Sequence, residues 1–386
     1  MSLSSEVDMR SAAGNTSTED SHSATNTGDS RSGDIETEAS IDSEPQLLRG
    51  QVISLDRGYP LVRTSRGEEH AQHAIHLVKN SPHLAAIGDI VELAYSPGQT
   101  YPLISNIAER SSVLARRRMV ESEREGCGKT DEQVLAVNFD FVVIVQSLGK
   151  QHINLDYLER QLVMALQSGK DAFVLLTKAD IARYPQQDLT DAQSVVAGHN
   201  VFLFSINRSR LEQQTAVAPG AVAPGTVALS TVALGTVAPS ALAQTAELVR
   251  LFSPAKTGVL LGRSGVGKSS FVNHLLGKGV LATGKVRKKD RAGRHTTVAR
   301  KLVDLPQGGH VIDTPGLRSI GIYTATRGLA RTFPEIVTAA ASCRYRDCTH
   351  THEPGCAVIQ AVQAGILPVR RLSSYQRLAR EVYDRA

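Results

Sequence analysis

Apolar and polar residues alternate in short runs between Leu47 and about Ser112. Gln51–Leu55 and Gly88–Leu93 are two such runs, and turn-forming residues separate them. Alternation over this length is typical of strands with one buried face. Several short strands within about sixty residues suit a small β-barrel. We therefore predict an N-terminal β-barrel over residues 47–112, which is OB-like (oligonucleotide-binding) or, alternatively, SH3-like.

Longer, uninterrupted apolar runs follow and indicate a different architecture. Phe141–Val145 is a continuous apolar run rich in β-branched residues, and Ala172–Leu176 is a second continuous apolar run, as expected for strands covered on both faces. Between them, apolar residues from Leu155 to Ala165 recur at helical spacing, and Val201–Ile206 is a further apolar run. This alternation of strand and helix predicts a parallel sheet, and hence an α/β domain, which we place at residues 113–322.

Two segments lack any pattern that could build a core. Residues 1–46 are mostly small, polar or acidic, and the segment 213–241 contains five pentads of the form x-Val-Ala-[Pro/Leu]-[Gly/Ser]. The first segment cannot bury enough apolar surface to offset the entropy lost on ordering it. In the second, proline, glycine and valine recur at a spacing that suits neither a helix nor a packed strand. We predict a disordered acidic tail and a mobile low-complexity insert within the α/β domain.

Charge and cysteine content narrow the cellular setting. Residues 1–48 hold ten acidic and two basic residues, so the rest of the 386-residue chain carries 41 Lys and Arg against 28 Asp and Glu. This basic body suggests a polyanionic partner, although an excess of Lys and Arg that serves solubility explains it equally well. No apolar run reaches the length of a membrane span, and four cysteines do not make a disulfide scaffold. We expect a cytoplasmic protein without a membrane partner.

The segment Gly262–Ser269 fits the phosphate-loop pattern G-x-x-x-x-G-K-[ST], between a predicted strand and a predicted helix. Its glycines let backbone N–H groups point at phosphate oxygens, and the helix N-terminus favours negative charge. Lys268 would reach the β- and γ-phosphates, and Ser269 would bind Mg²⁺. We predict a nucleoside triphosphate site. Its expected contacts are Gly262, Arg263, Ser264, Gly265, Val266, Gly267, Lys268, Ser269 and Ser270.

A second motif selects the base. Thr177, Lys178, Ala179 and Asp180 follow the second buried strand as a T-K-x-D tetrapeptide. The Asp180 carboxylate can accept hydrogen bonds from N1–H and N2–H₂ of guanine, a pair of donors that adenine lacks. The aliphatic stem of Lys178 can lie over the base. Ser205 and Ile206 end the next strand, where backbone contacts to the base would fall. These motifs together predict GTP as the ligand.

The residues after the phosphate loop supply the remaining magnesium and γ-phosphate contacts. Asp313 in an Asp-Thr-Pro-Gly tetrapeptide would hold Mg²⁺ through water, and the N–H of Gly316 would bond the γ-phosphate. Either Thr296 or Thr297 would complete the magnesium shell. The alternative is that the basic stretch around these threonines is an ordinary surface loop.

Hydrolysis needs a group that positions water. Leu317 follows Gly316 where many GTPases carry Gln, and leucine cannot orient water, so unassisted hydrolysis should be slow and should rise when a partner completes the site. His295 is the candidate for this role beside the catalytic Lys268, although a plain loop histidine is an alternative interpretation.

The order of the motifs is itself informative. GTP-binding domains normally run phosphate loop, switch threonine, D-x-x-G and then [NT]-K-x-D, whereas here the tetrapeptide 177–180 comes first. The sheet can stay intact under such a rotation because the termini of these domains lie close together. The sequence therefore predicts a circularly permuted P-loop GTPase domain.

A metal-binding pattern stands near the C-terminus. Cys343, Cys348, His350 and Cys356 are spaced C-x₄-C-x-H-x₅-C, with His352 as a rival ligand. Three thiolates and one imidazole would close a tetrahedral Zn²⁺ site, one per chain, which is structural rather than catalytic. We predict an α-rich zinc domain over residues 323–386. Its basic residues suggest contact with RNA or the ribosome, and they are Arg344, Arg346, Arg370, Arg371, Arg377 and Arg380.

These features together resemble the ribosome small subunit-dependent GTPase A family (RsgA, also called YjeQ). The resemblance runs from about Leu47 to the C-terminus and favours His350 as the fourth zinc ligand. Thr177 stands where the family commonly has Asn, and the pentads and acidic tail are additions. The motifs that carry the resemblance are Gln133–Ala136, Thr177–Asp180, Gly262–Ser270, Gly293–Thr297, Asp313–Gly316, Phe333–Ile336 and the cysteine cluster.

The resemblance implies a cytoplasmic GTPase that acts late in maturation of the small ribosomal subunit, with rRNA as its partner. We expect a monomer whose zinc domain and barrel contact rRNA and respond to the switch segment. One alternative is a GTP-dependent RNA-binding scaffold with incidental hydrolysis. Another is a GTPase that acts on a different polyanion, such as mRNA or tRNA.

Overall fold

A computed structural model describes residues 46–56, 59–80, 84–117, 132–196, 201–205, 241–277, 301–314, 321–322 and 325–383. Residues 1–45 of the predicted tail and residues 213–240 of the predicted insert lie outside these ranges, so neither prediction is tested. Contacts group the chain from Pro45 to Ala386 into one compact unit.

The N-terminal region is a small, mostly antiparallel sheet. β1 pairs with β2 and β5, β2 pairs with β3, β5 pairs with β6, and the short β4 lies parallel to β6. Burial alternates along the strands, so that Val52, Val62, Val91, Leu93 and Ile104 share one apolar cluster. The elements are β1 (Gln46–Asp56), β2 (Tyr59–Thr64), β3 (Gly67–His70), β4 (Gln72–His73), α1 (Ile75–Asn80), β5 (Ile90–Tyr95) and β6 (Leu103–Ile107).

A two-stranded antiparallel ribbon, which the sequence did not predict, connects this region to the next. It consists of β7 (Val113–Arg117) and β8 (Glu132–Val137). Arg116 lies in β7, and its Nε donates to Oε1 of Gln133 in β8 at 2.9 Å. Gly88, with φ +95°, passes so close to the ribbon that a Cβ there would meet the Val137 carbonyl oxygen at 2.1 Å.

The central α/β region confirms the predicted parallel sheet. Its strand order is β11-β10-β9-β12-β14-β13, and every neighbouring pair is parallel except β13 with β14. The elements are β9 (Phe141–Ser147), α2 (Leu155–Gln167), β10 (Asp171–Thr177), a 3₁₀ turn (Ala179–Ile181), α3 (Pro185–Val195), β11 (Val201–Phe204), α4 (Ala241–Leu251), β12 (Thr257–Leu261), α5 (Lys268–Leu275), β13 (Lys301–Asp304) and β14 (His310–Asp313).

The strand order shows how the permuted chain forms one sheet. β12, which leads into the phosphate loop, lies between the earlier strand β9 and the later strand β14. The strands that precede the loop in sequence, β9, β10 and β11, therefore lie on one side of β12. The strands that follow it, β13 and β14, lie on the other side. The carboxyl ends of β9, β10, β11, β12 and β14 share one edge, where ligands of open parallel sheets bind.

Alternate residues of the sheet face two separate apolar cores. Val142 and Ile144 of β9 belong to one cluster with Leu158 of α2. Val143 and Val145 belong to a second cluster that includes Leu248, Phe252 and Phe271. Helices thus cover both faces, which explains why the strand sequences show no polar alternation.

The two sheets are continuous through the pairing of β13 with β1, which forms a twelve-stranded sheet. This pairing is short, with Ser54 opposite Lys301. An ion pair supports it, because the Arg63 guanidinium lies 2.8 Å from the Asp304 carboxylate.

The C-terminal region is helical and packs on α2. Gly328 allows the close approach, since a Cβ there would lie 2.0 Å from the Val163 carbonyl oxygen of α2. Leu329, Phe333 and Leu378 lie in its apolar cluster. No helix in the described part of the chain is long and apolar enough to span a bilayer. The helices are α6 (Thr326–Thr332), α7 (Pro334–Ala340), α8 (Ala357–Gln363) and α9 (Val369–Tyr383).

Candidate nucleotide and metal sites

The phosphate loop lies between the buried strand β12 and the N-terminus of α5. Two of its glycines adopt left-handed conformations, with φ +77° at Gly265 and +105° at Gly267, which other residues rarely adopt. Gly262 sits against β9, because a Cβ there would lie 2.5 Å from the Val145 carbonyl oxygen. The loop therefore has the strand, turn and helix context that its pattern predicted.

Lys268 is folded back into the loop. Its Nζ donates to the carbonyl oxygens of Gly262 at 3.0 Å and Arg263 at 3.1 Å, and only 7% of the residue is exposed. Burial lowers the pKa of Lys268, while the nearby Asp313 acts in the opposite direction. Within the described residues, the neighbours of this buried ammonium group are the two carbonyl oxygens and the Asp313 carboxylate, and a phosphate group would add negative charge there.

Asp313 ends β14 opposite Leu260 of β12, beside the loop. Burial raises the pKa of Asp313, and Lys268 partly opposes this effect. Oδ1 of Asp313 is buried and accepts no hydrogen bond within the described residues. Because a buried carboxylate oxygen without a partner is costly, this atom fits a magnesium-bound water. Asp313 and the hydroxyl of Ser269 would hold Mg²⁺, which would neutralise phosphate charge.

The structure brings the T-K-x-D motif to the phosphate loop. The Thr177 hydroxyl contacts the Val266 carbonyl oxygen and lies 3.2 Å from that of Gln146. Lys178 has φ +57°, and its Nζ donates to the Gly265 carbonyl oxygen at 2.8 Å. Asp180 follows in the 3₁₀ turn, half-buried. The motif and the loop thus form one continuous surface at the carboxyl edge of the sheet.

Ser205 follows β11 at the same edge and is 5% exposed. The other predicted contacts lie outside the described residues, so their positions are untested. These are Ile206, His295, Thr296, Thr297 and Gly316, and Leu317 lies outside the described residues as well.

The cysteine cluster converges as its spacing predicted. The ligand atoms of Cys343, Cys348, His350 and Cys356 all lie within 4.8 Å of one another. Sγ of Cys356 is 3.4 Å from His350 Nδ1 and 3.8 Å from Sγ of Cys343. Burial lowers the pKa of His350 and so favours the neutral imidazole that binds metals. Three sulfurs and one nitrogen at these separations fit a closed tetrahedral zinc site.

Three of the C-terminal arginines that were predicted to contact RNA form ion pairs within the protein. Arg371 is 6% exposed and pairs with the fully buried Glu159 of α2 at 2.6 Å and with Glu335 at 2.7 Å. Arg370 also binds Glu159, at 2.9 Å. Arg377 lies 3.0 Å from Asp156 and lowers the pKa of that carboxyl group.

These three arginines therefore join α9 to α2. Arg371 is buried in these pairs and is not available to an RNA, whereas Arg370 and Arg377 remain 39% and 47% exposed, so their predicted contact with RNA is untested. The sequence held one signal of this arrangement. Asp156 and Glu159 are three residues apart, so they share one face of a helix that was otherwise judged only by its apolar positions.

Comparisons with known proteins agree with this site. The profile of the family described as RsgA GTPase matches residues 107–222 and 226–323. The small ribosomal subunit biogenesis GTPase RsgA of Streptomyces avermitilis is 38% identical over 343 residues, which cover 89% of this chain and 81% of the relative. A protein of the same name from Methanosarcina acetivorans is 37% identical over 77% of this chain and 69% of the relative.

Solved structures share the fold. YjeQ from Thermotoga maritima matches with a TM-score of 0.56 at 20% identity, over 87% of this chain and 99% of that one. The crystal structure of YloQ, a circularly permuted GTPase, gives a TM-score of 0.53 at 23% identity, over 88% of this chain and 96% of that one.

The fold and the site define a circularly permuted P-loop GTPase. The sequence comparisons make the assignment specific. The chain belongs to the RsgA GTPase family and is a GTP hydrolase.

Proposed function

We propose that this GTPase binds the small ribosomal subunit and hydrolyses GTP during late maturation of the subunit. The observation that carries the proposal is the 38% identity to a small ribosomal subunit biogenesis GTPase over 89% of the chain. The permuted GTP site supplies the chemistry, and the basic body is suited to an RNA-rich partner.

We assign the roles of individual residues as part of this proposal. Thr177 to Asp180 and Ser205 bind guanine, Gly262 to Ser270 bind the phosphates, and Ser269 and Asp313 hold Mg²⁺. Gly316 senses the γ-phosphate, Thr296 or Thr297 completes the magnesium shell, and His295 positions water. The contacts of Lys178 and Lys268 with the loop and the unpartnered oxygen of Asp313 support these assignments.

We divide the chain into an OB-like barrel at 47–112, a GTPase domain at 113–322 and a zinc domain at 323–386. The barrel assignment is supported by the strand pairings. β1 pairs with both β2 and β5. β3 and β4 are separated only by Ala71; β3 pairs with β2, and β4 pairs with β6. Such pairings support the proposal of a five-stranded OB-like barrel. The clustered Cys343, Cys348, His350 and Cys356 support one structural zinc ion in the last domain.

The three domains would act together. In sequence, the segment after Asp313 connects the proposed magnesium ligand to the zinc domain, and the ion pairs of α9 with α2 join that domain to the helix after β9. We propose that loss of the γ-phosphate reorients the zinc domain against rRNA. Equal affinity of the GTP-analogue and GDP forms for the small subunit would contradict this coupling. The proposal includes a cytoplasmic monomer, for which light scattering should give the mass of one chain.

GTP turnover of the purified protein, alone and with small or large ribosomal subunits, tests the function. We expect slow turnover alone and stimulation by small subunits only. Binding to small subunits without stimulation would support the alternative, a GTP-dependent RNA-binding scaffold. Stimulation by mRNA or tRNA instead would identify a different polyanionic partner.

A further inference from the structure

A cavity of about 540 Å³ lies in the C-terminal region, between the zinc-ligand loop and α9. Residues 345–351 line one side of it, and residues of α9 between Tyr375 and Tyr383 line the other. None of its lining residues belongs to the phosphate loop or the T-K-x-D motif. Its volume falls within the range of small-ligand sites, about 300–1,000 Å³.

The floor of the cavity is held in place by several contacts. Tyr375 is half-buried, with its ring edge-on to the fully buried Phe333 at 5.6 Å between centroids and 6.0 Å from His350. The side-chain amide of Gln376 donates to the carbonyl oxygen of His350. Because His350 and Cys348 are also candidate zinc ligands, both walls are tied to the same structural centre. Such a floor needs little reorganisation when a ligand binds.

The rim exposes aromatic rings from both sides. Tyr345 is 41% exposed on the loop side, and Tyr383 is 55% exposed on the helix side. The guanidinium of Arg344 lies 5.6 Å from the centre of the Tyr345 ring. A flat ring that is exposed on a rigid loop is a stacking surface that every nucleobase can use.

The charges at the rim favour phosphate. Arg346 and Arg380 both line the cavity, and within the described residues neither has a carboxylate partner at ion-pair distance. By contrast, Arg370, Arg371 and Arg377 form ion pairs with acidic residues of α2. Asp347 is the one carboxylate among the lining residues, so the rim keeps a net positive charge.

We propose that this cavity binds an unpaired nucleotide of an RNA, with the base stacked on Tyr345 and the flanking phosphates beside Arg346 and Arg380. The identity of that RNA rests on the proposed function, whereas the stacking chemistry does not. An acidic peptide would match the two arginines but would leave the aromatic rim unused, so the observations favour RNA.

The test measures binding of a fluorescein-labelled oligoadenylate to the full-length, zinc-loaded protein by fluorescence anisotropy. An RNA duplex of the same length is the comparison ligand. We expect Tyr345→Ala to weaken oligoadenylate binding about tenfold, while Tyr345→Phe stays within about twofold of wild type. Ile366→Ala truncates a side chain of the same region that is 79% exposed and does not line the cavity, so it should have no effect. Zinc content and melting temperature confirm that each variant is folded.

Unchanged oligoadenylate binding by Tyr345→Ala, an equal loss with Ile366→Ala, or tighter binding of the duplex would overturn the proposal. Loss of small-subunit binding by Tyr345→Ala with oligoadenylate binding intact would place a protein in the cavity and also overturn it. Stimulation of wild-type GTPase activity by small subunits is measured in parallel. If that stimulation is absent, the proposed function fails, and the oligoadenylate result still decides the cavity.

Discussion

The ammonium group of Lys178 donates a hydrogen bond to the carbonyl oxygen of Gly265 at 2.8 Å, although 87 residues separate them in the chain. Lys178 belongs to the base-recognition motif and Gly265 to the phosphate loop. The contact therefore joins two parts of the predicted nucleotide site that lie far apart in sequence. Lys178 itself has a left-handed backbone conformation, with φ +57°.

Removing this contact should weaken nucleotide binding. Lys178→Ala loses the hydrogen bond from a charged donor and the apolar stem over the base, so we expect at least about a tenfold loss of GDP affinity by calorimetric titration. Lys256→Ala is the matched control, because Lys256 pairs with Asp140 at 2.8 Å at the opposite end of β12. Equal losses in the two variants would show that Lys178 acts only through general stability.

Asp313→Asn should impair the use of magnesium. The amide keeps the size of the side chain but removes the negative charge, so the Mg²⁺ concentration for half-maximal GTP turnover should rise about tenfold or more. Asp304→Asn changes a half-exposed carboxylate that pairs with Arg63, and it should leave the magnesium requirement unchanged. The same magnesium curve for Asp313→Asn and wild type would remove Asp313 from the metal site.

The zinc proposal predicts one zinc ion per chain by elemental analysis. Cys356→Ser and His350→Ala should each lose zinc and lower the melting temperature, since metal binding contributes directly to folding of a small closed site. His352→Ala is the control, because His352 is exposed and its Nδ1 lies 2.9 Å from the Thr351 hydroxyl. Retention of zinc by His350→Ala with loss by His352→Ala would reverse the choice of histidine.

The ion pairs between α2 and α9 should differ in their contribution to stability. Glu159→Gln leaves the buried Arg371 with less compensation, so the free energy of unfolding should fall by about 3 kcal/mol. Asp156→Asn breaks pairs in which the carboxylate is 52% exposed, and it should cost less than about 1 kcal/mol. Urea denaturation followed by circular dichroism measures both values, and a larger effect for Asp156→Asn would contradict this ranking.

Local patterns in the sequence predicted the phosphate loop and the T-K-x-D motif, which the structure places beside each other. Lys268 and Asp180 were recognisable because the chemistry of phosphate and guanine requires particular residues at fixed spacing behind a strand. The apolar run Phe141–Val145 predicted a strand covered on both faces, and the C-x₄-C-x-H-x₅-C spacing predicted the metal cluster. Each of these signals lies within a short stretch of chain, so it can be recognised without knowing how distant segments pack.

Only the tertiary structure decided which distant groups become partners. The basic residue Arg371 suggested an RNA contact in the sequence, yet it is buried against Glu159, 212 residues away. Arg346 and Arg380 suggested the same RNA contact in the sequence, and they line a cavity. No sequence pattern predicted the pairing of β13 with β1 or the contact of Lys178 with Gly265. The sequence determines which side chains carry a charge. The free energy of each charged group depends on its burial and its partners, and these are set by the packing of the whole chain.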